Sequence, residues 1–200
     1  FKAKNLYPNY DDSSLLLASN YLKKAIELDQ NYALAYTWLA KTYYQLGFNN
    51  PDTIWHDLSL EMSEKALALE PKLAEGFNAR GATLYDLGQI TKAKNSIDIA
   101  TSFNPNLSDA IGNLATIHFV QGDLLKAIEL QKKSAQLGPK SPVPYQNLGW
   151  IYKILGKYQE AHKWFDLSLE QNESATTYEL KALTYIQEGK ETLLLLFSKR

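Results

Sequence analysis

Gly81, Gly88, Ala93 and Pro105 recur as Ala115, Gly122, Ala127 and Pro139, each pair 34 residues apart. Gly149, Gly156 and Ala161 carry the same phase forward by another 34. A period between roughly 20 and 50 residues marks an array of supersecondary units, none of which can bury its apolar face alone. The chain is therefore an array, and stacking of neighbours has to supply its core.

Within each period the apolar residues fall at helical spacing. Tyr36, Leu39, Ala40 and Tyr43 share one face, as do Phe77, Gly81 and Leu84, then Ile111, Leu114 and Ala115, then Tyr145, Leu148 and Tyr152. A glycine follows each of these first (A) helices, and a second (B) helix holds the alanine. From about Ser13, read as an N-cap, Leu15, Ala18, Leu22 and Ala25 form the back half of a unit whose first helix is weak or missing. Gly47 is placed as a C′ residue tolerating positive φ. Pro71 lies 24 residues after Gly47, whereas Pro105 and Pro139 lie 17 after Gly88 and Gly122. Seven extra residues follow, placed at 48–54 with Asp52 capping a lengthened helix through Trp55, Leu58 and Met62. Ser141 is read as a cap with Pro142 and Pro144 in the first turn. The expected units are about 13–32, 33–73, 74–107, 108–141, 142–174 and 175–200, after a lead-in over 1–12 in which Asp11 and Asp12 are solvated turn residues. The last B helix, Thr192 to Arg200, is mostly apolar.

Composition narrows the function classes. A formal net charge of −1, with Lys and Arg scattered, lacks the electrostatic footprint of nucleic-acid binding. The longest apolar run, Leu193 to Phe197, is too short to cross a bilayer. No cysteine is present for a disulfide, thiolate metal site or nucleophile, which leaves the compartment open. His56, His118 and His162 stand on different elements with no carboxylate or cysteine at ligand spacing, and are read as packing or solvated residues. No phosphate-loop, zincin or nucleophile-elbow pattern occurs. The expectation is no enzyme, cofactor or metal in these residues. The start at Phe1 and the apolar end are read as marks of a piece of a longer protein.

From about Leu15 to Gly189 these residues closely resemble the tetratricopeptide repeat (TPR) family. The resemblance implies an all-α solenoid, a right-handed superhelix of antiparallel helix pairs, that binds proteins. The stretches Ala25 to Tyr36 and Ser141 to Trp150 resemble TPR tails of bacterial signalling proteins. Such tails follow cyclase, kinase or winged-helix regulator domains, none of which is present here.

In that fold the residues at i, i+4 and i+7 of each A helix, off the packing face, line a concave groove. They are Thr37, Lys41 and Tyr44; Asn78, Ala82 and Tyr85; Gly112, Thr116 and Phe119; and Gln146, Trp150 and Lys153. Asn113 and Asn147, 34 apart, add an amide pair that can both donate and accept along a peptide backbone. The competing readings are that the aromatics support the next repeat and the asparagines are ordinary composition. The cations that clamp a chaperone's C-terminal carboxylate in other TPR domains are absent, since Asn78, Ala82, Asn113, Val143 and Asn147 occupy those places. The sequence thus predicts a protein or peptide ligand in the groove, with no nucleic acid and no membrane insertion. The alternative is self-assembly, a homodimer through the apolar C-terminal helix.

Overall fold

The computed structural model describes residues 11–50, 53–138 and 140–189. Ten α-helices and no strand occur among them: α1 Asp12–Leu28, α2 Ala33–Asn49, α3 Thr53–Leu69, α4 Ala74–Asp86, α5 Ile90–Phe103, α6 Ser108–Val120, α7 Leu124–Leu137, α8 Val143–Ile154, α9 Tyr158–Gln171 and α10 Ala175–Gln187. Two compact units divide the chain, Phe1–Ile117 and His118–Arg200, with the boundary inside α6. The lead-in over 1–10, the Asp52 cap and the apolar helix from Thr192 lie outside the described residues.

In the first unit, Leu15, Ala18 and Leu22 of α1 pack with Ala35, Leu39, Ala40, Tyr43 and Leu46 of α2, Met62 of α3 and Ala79 of α4. A second cluster joins Leu84 of α4 to Ala93, Ile97 and Ala100 of α5 and Ala110 and Ile117 of α6. Buried hydroxyls cross the seams. Ser59 Oγ donates to the Ala40 carbonyl at 2.8 Å and lies 2.7 Å from Thr83 Oγ1, tying α2, α3 and α4 together. Such groups stabilise only because each finds a partner.

The small residues set how closely A and B helices approach. A Cβ on Gly81 would lie 2.5 Å from Ile97 Cγ1, and one on Gly149 would lie 2.5 Å from Phe165 Cε1. In the second unit Phe165 is fully buried against that glycine, and Trp164 beside it stacks on Tyr152 at 6.4 Å between ring centres. The turns between pairs are chemically fixed as well. Gly88, Gly122 and Gly156 have φ between 70° and 82°. Each is followed by a backbone N–H that reaches back to close the helix end, Gln89 to Leu84, Asp123 to His118 and Lys157 to Tyr152, all at 2.9 Å.

Three local expectations are corrected. Gly47 does not end its helix: it lies inside α2, buried, because the His56 ring fills the space where its side chain would stand, 2.7 Å from a built Cβ. The extra residues accordingly enter as helix. α2 has 17 residues against 13 in α4, and α3 has 17 against 14 in α5. The first cap is Asp11, not Ser13, its carboxylate accepting from Ser14 N at 2.9 Å while Asp12 is already helical. Hydrogen bonds from Ser13 and Ser14 lower the Asp11 carboxyl to about 2. At α8 the capping position belongs to Pro142, with no side-chain cap bond from Ser141.

Gly149→Ala is expected to cost about 1–3 kcal/mol by forcing Phe165 off its site, measured by urea unfolding. Gly156→Ala, where a Cβ meets nothing within 4 Å, should cost about 1 kcal/mol through backbone strain alone. Equal stability of the Gly149 variant and the parent would refute the close-approach account.

Candidate functional site

Placing the expected groove residues on these helices divides them into closed and open positions. In the first unit Thr37 is closed: it is 1% exposed and its hydroxyl donates to the Ala33 carbonyl at 3.1 Å. Asn78 is 4% exposed, and its side-chain oxygen accepts from Asn113 Nδ2 at 2.9 Å. Asn113 therefore meets Asn78 on α4. Thr116 donates to the Gly112 carbonyl within α6 at 3.2 Å and stays half-buried.

Lys41 does not stand alone on its stripe. Its Nζ reaches Asp109 Oδ2 on α6 at 2.8 Å, past α4, which has only the small Ala82 at the corresponding position, and it also lies 4.7 Å from the centre of the Trp38 ring. The Lys41 ammonium is the main reason the Asp109 carboxyl lies below its ordinary value. Tyr44 donates its hydroxyl to the Asp86 carboxylate at the end of α4. Burial pushes the Asp86 carboxyl up, opposed by the His56 ring, whose Nε2 is 3.7 Å away, and by the hydrogen bond from Tyr44. Tyr85, the next stripe aromatic, is half-buried, and burial raises its phenol too.

In the second unit Phe119 and Asn147 are half-buried. Gln146 donates from Nε2 to Thr177 Oγ1 of α10 at 2.5 Å. Trp150 is 38% exposed, an indole at the stripe position where α4 and α6 have Ala82 and Thr116. Lys153, one turn on, is 9% exposed, and its Nζ lies 4.8 Å from the centre of the Trp150 ring.

Sequence reasoning missed the carboxylates. Asp109 is 68 residues from Lys41, and nothing in either neighbourhood announces the pair. Each histidine also has an acid beside it that the sequence spacing did not show: Asp86 at 3.7 Å from His56, Asp123 at 3.4 Å from His118 and Glu188 at 3.4 Å from His162. These are pairs; among the described residues no group of three His, Cys, Asp or Glu is placed to hold a metal ion. Asp12 is gripped by two amides, Asn49 Nδ2 and Asn50 Nδ2, each at 2.9 Å, which hold its carboxyl below the ordinary value.

A family model described as tetratricopeptide repeat matches residues 106–174, and a second, described as TPR repeat, matches residues 10–47. Together they span just over half of the chain and agree with the stacked helix pairs. The chain belongs to the tetratricopeptide repeat family. The crystal structure of a thermophilic TPR protein of Thermus thermophilus has the same fold, with a TM-score of 0.76 over 92% of this chain and 95% of that one at 19% identity. Among curated relatives, the protein O-mannosyl-transferase TMTC1 of Homo sapiens is 29% identical over 112 residues, 54% of this chain and 13% of that protein. This chain thus matches a small part of that relative's length. The photosystem I assembly protein Ycf3 of Synechococcus sp. is 24% identical over 169 residues, 81% of this chain and 77% of the relative. TPR proteins mediate protein–protein interaction. No helix among the described residues is long and apolar enough to cross a membrane.

The Lys41–Asp109 pair gives this TPR chain an acid-sensitive strut. Because the folded carboxyl lies below its ordinary 3.8, the stability it contributes is complete above that value and is lost as pH falls through the folded value. With Asp109 half exposed, the contribution is under about 1 kcal/mol. Asp109→Asn should lower stability at pH 7 by that amount and converge with the parent at pH 2. A constant difference from pH 7 to pH 2 would contradict the pairing.

Proposed function

We propose that this chain is a non-catalytic interaction scaffold that holds a peptide or a partner domain on the A-helix stripes of its two units, as part of a larger regulatory protein. The observation that carries the reading is Trp150. Aromatic side chains are normally drawn into the seams of such an array, as Tyr43 is at 4% exposure, and burying a large ring is worth several kcal/mol. An indole left 38% exposed on an A helix is surface kept for something else, and amphipathic rings are the residues on which partner binding concentrates.

Phe119, Gln146 and Asn147 are further stripe positions of the second unit, and Tyr85, Asn113 and Thr116 are those of the first. The assembly role in the name of Ycf3 fits a scaffold of this kind, one that holds other proteins without acting on them. Nucleic acid does not suit a chain whose net charge is −1.

The test is affinity capture from native lysate with the whole chain as bait, beside Tyr85→Ala/Asn113→Ala and Trp150→Ala variants whose circular dichroism matches the parent. A partner captured by the parent and lost by a folded stripe variant supports the reading. Capture unchanged by both variants would place the working surface elsewhere.

A further inference from the structure

Three lysines are drawn in from solvent along the A helices, and two of them have a carboxylate. Lys41 has Asp109. Lys181 of α10, 9% exposed, has Asp166 of α9. Lys153 is as buried as Lys181, and its ammonium lies over the face of Trp150 with no carboxylate paired to it among the described residues. Withdrawing an ammonium from water without a counter-ion is unfavourable, and a ring face compensates it only in part. The Trp150 face under the ammonium belongs to a ring that is itself partly open to solvent, so an incoming group meets cation and indole together.

From this lysine, drawn against an indole face with no acid paired to it among the described residues, we infer that the second unit takes a peptide segment in which an Asp or Glu carboxylate pairs with Lys153 Nζ while a neighbouring apolar side chain lies on Trp150. The inference rests on the stripe being a partner-binding face and names what that face selects. One ammonium with no arginine fork beside it matches a single carboxylate; a dianion such as phosphate calls for several donors. Gln146, committed to Thr177, holds α8 against α10. The apolar half of the ligand has further surface in the matching register positions of α10, where Leu183 is 50% and Ile186 44% exposed. The carboxylate then completes for Lys153 what Asp109 and Asp166 already supply to the other two lysines.

The experiment is selection of phage-displayed random dodecapeptides on the whole chain, with affinities of the selected peptides measured on the parent and on Lys153→Met, Trp150→Ala and Lys140→Met. Lys153→Met keeps the packed stem and removes the unpaired charge, so it should fold with at least the parent's thermal stability. The proposal expects peptides with an acidic residue beside an apolar one, bound roughly tenfold or more weakly by Lys153→Met and unchanged by Lys140→Met, a loss in the range of a charged hydrogen bond. Peptides that lose affinity to Trp150→Ala but carry no acidic preference and ignore Lys153→Met would overturn this inference and leave the interaction surface standing. Peptides indifferent to Trp150→Ala, or none selected at all, would overturn the surface and the inference with it.

Discussion

Everything in this chain depends on how closely an A helix and its B helix can approach. Ile97 and Phe165 occupy the space that a side chain on Gly81 and Gly149 would need, so the pair distance is set by an absence of atoms. With the seam fixed, the B-helix alanines Ala93, Ala127 and Ala161 are completely buried, and the larger side chains fill the spaces between one pair and the next. Packing at this density tolerates little added volume. The same constraint fixes which side of each A helix is left over, and that remaining side carries the candidate site.

Polar cross-links then separate the two units in character. In the first, the Lys41–Asp109 pair, the Asn113–Asn78 amide bond and the Tyr44 hydroxyl on Asp86 satisfy stripe residues from inside the fold. These side chains position α2, α4 and α6 and retain only part of their capacity for a ligand. In the second unit, Trp150 keeps an exposed indole and Lys153 keeps an ammonium with no acid paired to it among the described residues. On the proposed reading, selectivity for a partner is carried more by α8 than by α2.

What could be read from the sequence is what the period records. Gly81, Gly149, Ala93 and Ala161 repeat because every pair needs the same close approach, and the turn glycines repeat because every pair needs the same left-handed residue. Gly47 sits in phase with those turn glycines and was misread for that reason. Its role is spatial, to admit the ring of His56, and seven residues added to α2 and α3 together leave the phase of later units intact. Asp109, Asp86 and Asp12 could not be found by period at all, since each acts once, across many residues, on a partner with no repeat of its own. The sequence supplies the stripe only as a set of expected positions. Which positions are closed, as Thr37 and Asn78 are, depends on neighbours that only the packed helices bring near.

The most direct test of the stripe as the working surface is site-specific photo-crosslinking. A benzophenone side chain is placed at position 150 on α8 and, separately, at position 125 on α7, where Leu125 is 84% exposed, and irradiation follows in native lysate. A discrete adduct from position 150, competed by excess unlabelled chain and missing from position 125, is the predicted result. The same adduct from position 125, with none from position 150, would contradict it.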